Sequence, residues 1–533
     1  MRRLRCEGDQ EYDAIVVGSG FGGAMTAHVL VQAGWSVLMV ERGDWVRRGP
    51  QNWAASEVGE LTSHYSSESP YRVRTESGET QVGAFHCVGG PSVFYGGVAF
   101  RFRAEDFEQD PEIAGTSGAR WPWTYHDLEP YYTEAEHLLG VAGDTGLDPT
   151  EPFRSSGYSE VPGELAPVSR CIERAARELG YRPFRLPLAI NQRARPGRAA
   201  CIACGTCDGF ACAVGAKNDL ATAVLGPLVT RGLHLQVNAV ATRLFAERGR
   251  ITGVEIRDRA TGDAAVCRAN TVVLAAGALA TPQLLLASGL QRLNPGGHVV
   301  GRYLMRHYNK IVFGIFPQPP NPGGGFHKQL AIHDFYFGDA ALRYPRGKLG
   351  GMQQLASPPA GLVRAQLPSF IGSACARWVD HLTGLLTIAE DQPQYENRVL
   401  LDGVATDGVG LPRLQITHRY SERDRAAGRA LVERASAILR RAGAWALYRH
   451  RINTFSHALG TVRMGADPRT SALDAECRFR GLENLYVVDG SVMPTSAAVN
   501  PSLTIAANAL RAAHRLAGHS SPVEPAFYAA SAG

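Results

Sequence analysis

No run of apolar residues in this chain approaches the roughly eighteen that a membrane-spanning helix needs. No block of Lys and Arg is long enough to track a phosphate backbone either. Neither a membrane nor a nucleic acid is therefore expected as a partner. The opening Met1-Arg2-Arg3-Leu4-Arg5-Cys6 is basic like the start of an export signal, but Glu7-Gly8-Asp9-Gln10-Glu11 stands where the apolar part of such a signal would have to be. The expectation is a soluble, cytoplasmic protein. Charged residues make up only 20% against 45% hydrophobic, and acids and bases mix along the chain to a net charge of +5. That excludes a disordered or fibrous class and leaves an ordinary globular one. No short-period repeat is present. What the chain has is length and glycine. Its 533 residues exceed the roughly 250 to 300 at which one core stops growing, so two or more domains and room for a large buried cofactor are expected. Fifty-nine glycines imply many tight turns and close backbone approaches.

The strongest local pattern lies near the start. Asp13-Ala14-Ile15-Val16-Val17 reads as a buried strand running into Gly18-Ser19-Gly20-Phe21-Gly22-Gly23. A helix follows with Ala24, Ala27, Val29, Leu30 and Ala33 on its apolar face, and it stops at Gly34. Ser36-Val37-Leu38-Met39-Val40 then gives a second strand ending in Glu41. Strand, G-x-G-x-x-G, helix and acid-tipped strand together form a dinucleotide fingerprint. Gly18 permits the tight turn, Gly20 lets backbone N–H groups approach a pyrophosphate, and Gly23 lets helix and strand pack closely. The helix N-terminus faces the negative charge. Glu41 is placed to accept hydrogen bonds from an adenosine ribose and disfavours a 2′-phosphate. The pattern does not separate FAD from NAD; its N-terminal position favours FAD.

Further along, His457 precedes Gly460-Thr461-Val462-Arg463-Met464-Gly465, followed by Asn484-Leu485-Tyr486-Val487-Val488-Asp489-Gly490-Ser491, Pro494 and Asn500-Pro501. Gly89-Gly90-Pro91-Ser92, Trp121-Pro122 with Tyr131-Tyr132, Ala275-Ala276-Gly277-Ala278 with Pro282, Val300-Gly301-Arg302 with His307, and Asn397-Arg398-Val399 accompany it. Over about residues 11 to 518 this set resembles the glucose-methanol-choline (GMC) oxidoreductases. The resemblance implies an α/β (α+β overall) architecture: a Rossmann-like FAD-binding domain with an antiparallel-sheet substrate domain roofing the flavin. The FAD domain would be assembled from residues 11–110, 201–300 and 455–520, the last carrying the catalytic residues. Residues 111–200 (with connecting segments) and 301–454 would form the substrate domain. Lys310 to Phe316, Leu385 to Ala389, Asn397 to Asp402 and Leu414 to His418 read as its strands. Ser421 to Ala442 reads as a surface helix capped by Ser421, with Gly428 its interior weak point.

The resemblance also assigns the cofactor contacts. Gly89, Gly90 and Ser92 lie in the flavin-facing loop. The small residues Ala276 and Gly277, after the strand Thr271-Val272-Val273-Leu274, let backbone approach the cofactor. Asp489 and Gly490 lie at the flavin and ribityl chain, and Asn500-Pro501 belongs to the same site. Val237 to Leu244 resembles the strand whose backbone touches adenine, at Val240. Some relatives bind flavin covalently through a His in the Gly-Gly-x-Ser loop. Here Phe94 occupies that position, so noncovalent FAD is expected.

Oxidising an alcohol requires loss of a hydroxyl proton and of a carbinol hydride, so the site needs a base, a second ligand for the oxygen and no competing water. By the resemblance His457 is the base and Asn500 the hydrogen-bond partner of the alcohol oxygen. Imidazole suits the first role because it is mostly neutral yet basic at physiological pH. The His/Asn pair is similar to that of cholesterol and pyranose oxidases. Gly90 to Gly97 with Phe100-Arg101, and Pro187-Leu188-Ala189-Ile190-Asn191, are similar to flavin enzymes oxidising aminoglycoside 6′-hydroxyls. The expectation is FAD-dependent oxidation of a small-molecule alcohol, sugar-like or aminoglycoside, with O2 or another electron acceptor.

Ten cysteines are present, of which Cys201, Cys204, Cys207 and Cys212 fall within twelve residues. Their context is shared with sugar dehydrogenases that carry an iron-sulfur cluster, although the spacing departs from the adjacent-cysteine pattern of those proteins. Free or structural thiols are the leading reading, with no metal; an iron-sulfur cluster or zinc are the alternatives. A cluster would make the chain a dehydrogenase passing electrons to a quinone or cytochrome. A noncatalytic FAD-fold binding protein, resembling Rab escort proteins, is a third reading, against which His457 and Asn500 speak.

Overall fold

In the computed structural model, which describes residues 11–49, 65–75, 78–452, 454–519 and 521, the strand Glu11–Val17 has Ala14 to Val17 buried without interruption. A strand covered on both faces suits the middle of a parallel sheet. It pairs in parallel with Val37–Val40 on one side and with Ala264–Leu274 on the other. His234–Gln236 extends the sheet past Val37–Val40. Ala264–Leu274 divides its pairing: the end at Val272 to Leu274 takes Leu485–Val487 in parallel, and its beginning pairs antiparallel with Arg250–Asp258, which pairs in turn with Ala239–Glu247. The helix Phe21–Gln32 packs on Ser502–Leu516, which also contacts Tyr125–Leu138. The strands expected at 13–17, 36–40, 271–274 and 485–488 are thus present within a residue or two at most ends. The basic start, residues 1–10, lies outside the described residues.

A second sheet, antiparallel throughout, runs in the order Ala446–Arg451, Tyr308–Ile315, Leu382–Ala389, Gly350–Leu355, Leu330–Ile332 and Phe184–Arg185. The helix Glu422–Arg441 lies on one face, where Val312, Leu385 and Met352 pack with Ala427, Leu431 and Ile438. Because strand side chains alternate, Gln353, next to Met352, points to the opposite face.

The expectation of one antiparallel sheet needs correction. Arg398–Thr406 and Pro412–Thr417 belong to a separate four-stranded sheet with Tyr65–Thr75 and Gly78–Phe85, in which Pro412–Thr417 and Tyr65–Thr75 run parallel. Alternation identifies a strand but not its neighbour. The partners are encoded more than three hundred residues upstream, in a polar segment that carries little strand pattern.

The helix Glu422–Arg441 starts as expected. Ser421 Oγ accepts from the Asp424 N–H at 3.1 Å and the Asp424 carboxylate accepts from the Ser421 N–H at 2.8 Å, a reciprocal cap. Gly428 is not a defect: a Cβ there would stand 2.0 Å from the Tyr308 ring. The glycine costs helix propensity and admits the aromatic ring that joins helix to sheet.

Candidate active site

Three parallel strands end together, at Val17, Leu274 and Val487, and the glycines decide how closely their ends interlock. Gly18 has φ +100°, and a Cβ there would lie 2.4 Å from Ala275 O. At Gly23 it would lie 2.0 Å from Gly18 O, and at Gly22 2.6 Å from Val488 O. None of these neighbours is a flexible tip, so each glycine is required by backbone. Gly20 differs: it is the N-cap of Phe21–Gln32, and a Cβ there would meet nothing within 4 Å. The first turn of that helix carries no acidic side chain. The first-turn N–H groups, with the positive end of the helix dipole behind them and no acidic side chain competing, suit a phosphate.

The other expected contact residues gather around this turn. Gly90, with φ +55°, returns on Gly20, where its Cβ would sit 3.3 Å from the Gly20 Cα. Gly89, with φ +87°, lies against Ala221. Ser92 Oγ donates to Gly89 O at 2.7 Å and accepts from the Leu220 N–H at 3.0 Å. Gly277, with φ +88°, donates its N–H to Asp489 Oδ2 at 2.9 Å; Thr281 Oγ1 donates to the same oxygen at 2.5 Å, and Oδ1 accepts from the Ser491 N–H at 2.8 Å. Asp489 thereby ties Ala276-Gly277 to Gly490, and burial pushes its carboxyl pKa up. Val240 is buried in Ala239–Glu247, whose first N–H donates to Glu41 O at 3.0 Å.

Glu41 does more than its position at the strand end announces. Its Oε2 accepts from Ser19 Oγ at 2.5 Å and from the Ser19 N–H at 3.1 Å, and its Oε1 accepts from the Gly43 N–H at 2.9 Å. Ser19 Oγ also accepts from the Gly89 N–H at 2.9 Å. The buried carboxylate, whose pKa burial raises, therefore braces the first glycine turn against the 89–92 loop. Gly-rich turns, open helix end and acid at the strand tip together fit a dinucleotide such as FAD.

The protic residues lie on other elements. His457 sits just before Leu459, which exchanges backbone hydrogen bonds with Met305 at 2.9 and 3.0 Å, and before Gly460, whose N–H donates to Gly490 O at 3.1 Å. Asn500 precedes Pro501, the buried N-cap of Ser502–Leu516. Asn500 Nδ2 lies 3.4 Å from His457 Nε2, and both residues are only half-buried. The chain thus brings 457 and 500, 43 positions apart in sequence, together. Two further residues complete the group. His307 Nδ1 is 2.9 Å from His457 Nδ1, and Gln353 Nε2 donates to Asn500 Oδ1 at 2.6 Å. His307 stood in the sequence only as a family match without a role. Gln353 carried no signal beyond strand alternation, in a strand that composition does not announce.

His457 is held well below the ordinary histidine value, first by burial and then by His307, Lys328 and Arg306. Lys328 is itself paired with Asp208 at 3.0 Å. A base with a lowered pKa stays unprotonated as pH falls through the ordinary 6.5, and is lost only well below it. The kcat/KM profile for an oxidisable alcohol should therefore be level across pH 6.5, with its acid limb lower; an acid limb at or above 6.5 would contradict this geometry.

The cysteine-rich loop is organised by an ammonium. Lys217, almost wholly buried, donates from Nζ to the carbonyl oxygens of Tyr95 at 2.7 Å, Phe210 at 2.9 Å and Cys207 at 3.0 Å. Cys201, Cys204, Cys207 and Cys212 are free thiols. Among the described residues no three His, Cys, Asp or Glu side chains converge as a metal set, and no helix is long and apolar enough to cross a membrane.

A dinucleotide cradle on a parallel sheet, joined to an antiparallel sheet that delivers a side chain to a His/Asn pair, defines a flavin-type oxidoreductase fold. Residues 12–309 and 393–509 match the two family models described as GMC oxidoreductase. The chain belongs to this family of oxidoreductases, and family and fold imply FAD. It is 34% identical to 6'''-hydroxyparomomycin C oxidase of Streptomyces lividus and 33% identical to paromamine 6'-oxidase of Streptomyces fradiae, in each case over 96% of this chain and 92% of the relative. It is 29% identical to 2-methyl-1,2-propanediol dehydrogenase of Mycolicibacterium austroafricanum over 94% of both. Pyridoxine 4-oxidase from Mesorbium loti shares the fold, with a TM-score of 0.64 at 20% identity over 95% of this chain and 99% of that one.

Proposed function

We propose that this enzyme oxidises a hydroxyl of an aminoglycoside or similar sugar-like alcohol to the carbonyl, with His457 as general base and Asn500 holding the alcohol oxygen. The observation that carries this reading is the His457 Nε2 and Asn500 Nδ2 pair, 3.4 Å apart and half-buried. A hydroxyl between them can give its proton to the imidazole while its oxygen accepts from the amide. The amide adds no charge, and the neutral imidazole is a base rather than an acid at physiological pH. The similarity to two aminoglycoside oxidases supports the substrate class.

FAD, when bound, supplies the hydride acceptor. Gly18, Gly20 and Gly23 would hold its pyrophosphate at the helix N-terminus, Glu41 the ribose, and the Val240 backbone the adenine. Gly89, Gly90, Ser92, Ala276, Gly277, Asp489, Gly490, Asn500 and Pro501 would line the flavin end. Phe94 is buried and stacked on Phe85, ring centroids 4.3 Å apart, and offers no nucleophile for a covalent bond, so the flavin is noncovalent. In this reading residues 11–110, 201–300 and 455–520 house the cofactor and 111–200 and 301–454 cover it. The protein works in the cytoplasm, and O2 or another acceptor takes the electrons.

The test is anaerobic mixing of the yellow protein with a panel of aminoglycosides, neutral sugars and simple diols, followed by admission of air. Aminoglycosides should bleach the flavin fastest, and colour returning in air identifies an oxidase. Faster bleaching by neutral alcohols would overturn the substrate class, and persistent colour with every alcohol would overturn the enzyme.

A further inference from the structure

We infer that His307 and Gln353 are positioning residues: the first fixes which nitrogen of His457 carries a proton, and the second holds the Asn500 amide in the orientation that His457 sets. The inference rests on the reading of His457 as the base. It starts from one atom that can only accept, the carbonyl oxygen of Ser496. His307 Nε2 lies 2.9 Å from it, so that nitrogen carries the hydrogen. The ring is wholly buried and burial lowers its pKa, so His307 is neutral and its Nδ1 is a bare lone pair. That lone pair faces His457 Nδ1 at 2.9 Å, and a contact between two nitrogens at this distance needs one proton. It must sit on His457 Nδ1, which leaves His457 Nε2 bare.

A bare Nε2 at 3.4 Å requires an N–H from Asn500, which turns Oδ1 towards Gln353 Nε2 at 2.6 Å. Reversing Asn500 alone would set its oxygen against the lone pair of His457 and its N–H groups against those of Gln353. Gln353 is almost wholly buried, and its own Oε1 has no hydrogen-bond partner among the described residues, so its bond to Asn500 is the one that orients it. One backbone carbonyl thus dictates, through His307, His457 and Asn500, that a lone pair and an N–H stand side by side.

The backbone at His307 is consistent with a positioning role. Its φ is +63°, a left-handed conformation that residues other than glycine adopt uncommonly and that clusters at functional sites. Tyr420 Oη donates to His307 O at 2.8 Å and the neighbouring Arg306 N–H donates to Asp391 Oδ2 at 2.9 Å, holding the turn on both sides. When the substrate proton passes to His457, its O–H bond breaks, an Nε2–H bond forms, and the new imidazolium keeps donating from Nδ1 to His307. The charged groups that bear on this pair are Lys328 and Arg306 towards His457, and Asp391 and Asp106 towards His307. The Asp391 Oδ2 that accepts from Arg306 is also 2.7 Å from His418 Nε2.

The direct test is nitrogen NMR of the wild-type holoenzyme labelled in histidine, with His457 assigned by the signal missing from His457→Ala. The neutral Nδ1–H form is expected at neutral pH, and the Nε2–H form would overturn the inference. Kinetics supply a second test. His307→Ala should retain flavin, lose about 10²-fold or more in kcat as expected for a base with the wrong tautomer, and move the acid limb of the pH profile. His307→Asn, whose Oδ1 can accept from His457 and whose backbone tolerates the left-handed region, should recover most of both. Gln353→Leu should lower kcat with flavin retained. Equal rates and pH profiles in wild type and His307→Ala, or no recovery in His307→Asn, would overturn the inference. If His457→Ala keeps full turnover, the base reading itself has failed, whatever His307 does.

Discussion

His457→Ala is expected to lose about 10²- to 10⁴-fold in turnover while the purified protein stays yellow. The magnitude is that of a positioned general base. The retained colour follows from where the residue stands: the residues proposed above to hold the cofactor are other ones, and His457 enters through a loop whose backbone is held by Met305 and Gly490. Truncating the imidazole leaves those bonds intact. Flavin content, measured on the purified variant before kinetics, separates loss of chemistry from loss of fold. A variant that keeps wild-type turnover would remove His457 from the mechanism, and a colourless one would contradict the placing of the cofactor contacts on other residues.

Gly23→Ala should have the opposite signature, with fold and flavin lost together. Its Cβ would lie 2.0 Å from Gly18 O and 3.3 Å from Ala275 Cβ. No side-chain end is free to move, so the first turn must open. A cost on the order of 3 kcal/mol is expected, lowering Tm by several degrees in a domain of this size, and the protein should purify without flavin. Gly20→Ala is the control. Gly20 has an ordinary φ of −70° and an unobstructed Cβ direction, so the apo protein should unfold at nearly the wild-type temperature while flavin binding weakens. Equal thermal loss in both variants would mean that Gly20 is required by packing rather than by a ligand.

The contrast between these glycines bears on what the sequence made legible. Strand, turn, helix and second strand at 13–41 are local, so spacing alone located them and even assigned separate duties to Gly18, Gly20 and Gly23. His457 and Asn500 were singled out through a family resemblance; no periodicity distinguishes them from other polar residues. The rest is long-range. His307 meets His457 across 150 positions and Gln353 meets Asn500 across 147, and no spacing rule reaches that far. Glu41 was recognised as the acid at a strand tip, yet its bonds to Ser19 and Gly43 depend on how two loops close. Pro412–Thr417 was recognised as a strand, but not that it pairs with Tyr65–Thr75 rather than with the roof sheet. Lys217 beside the cysteines carried no signal of its own in the sequence, because three carbonyl oxygens aimed at one ammonium are a property of the folded loop.

The most direct measurement is a crystal structure of the FAD-loaded enzyme with an oxidisable alcohol or a slow analogue. The account predicts the hydroxyl oxygen within about 2.6–3.2 Å of both His457 Nε2 and Asn500 Nδ2, with its carbinol carbon facing the reactive edge of the isoalloxazine ring. A flavin seated elsewhere, or an alcohol bound out of reach of both side chains, would contradict it.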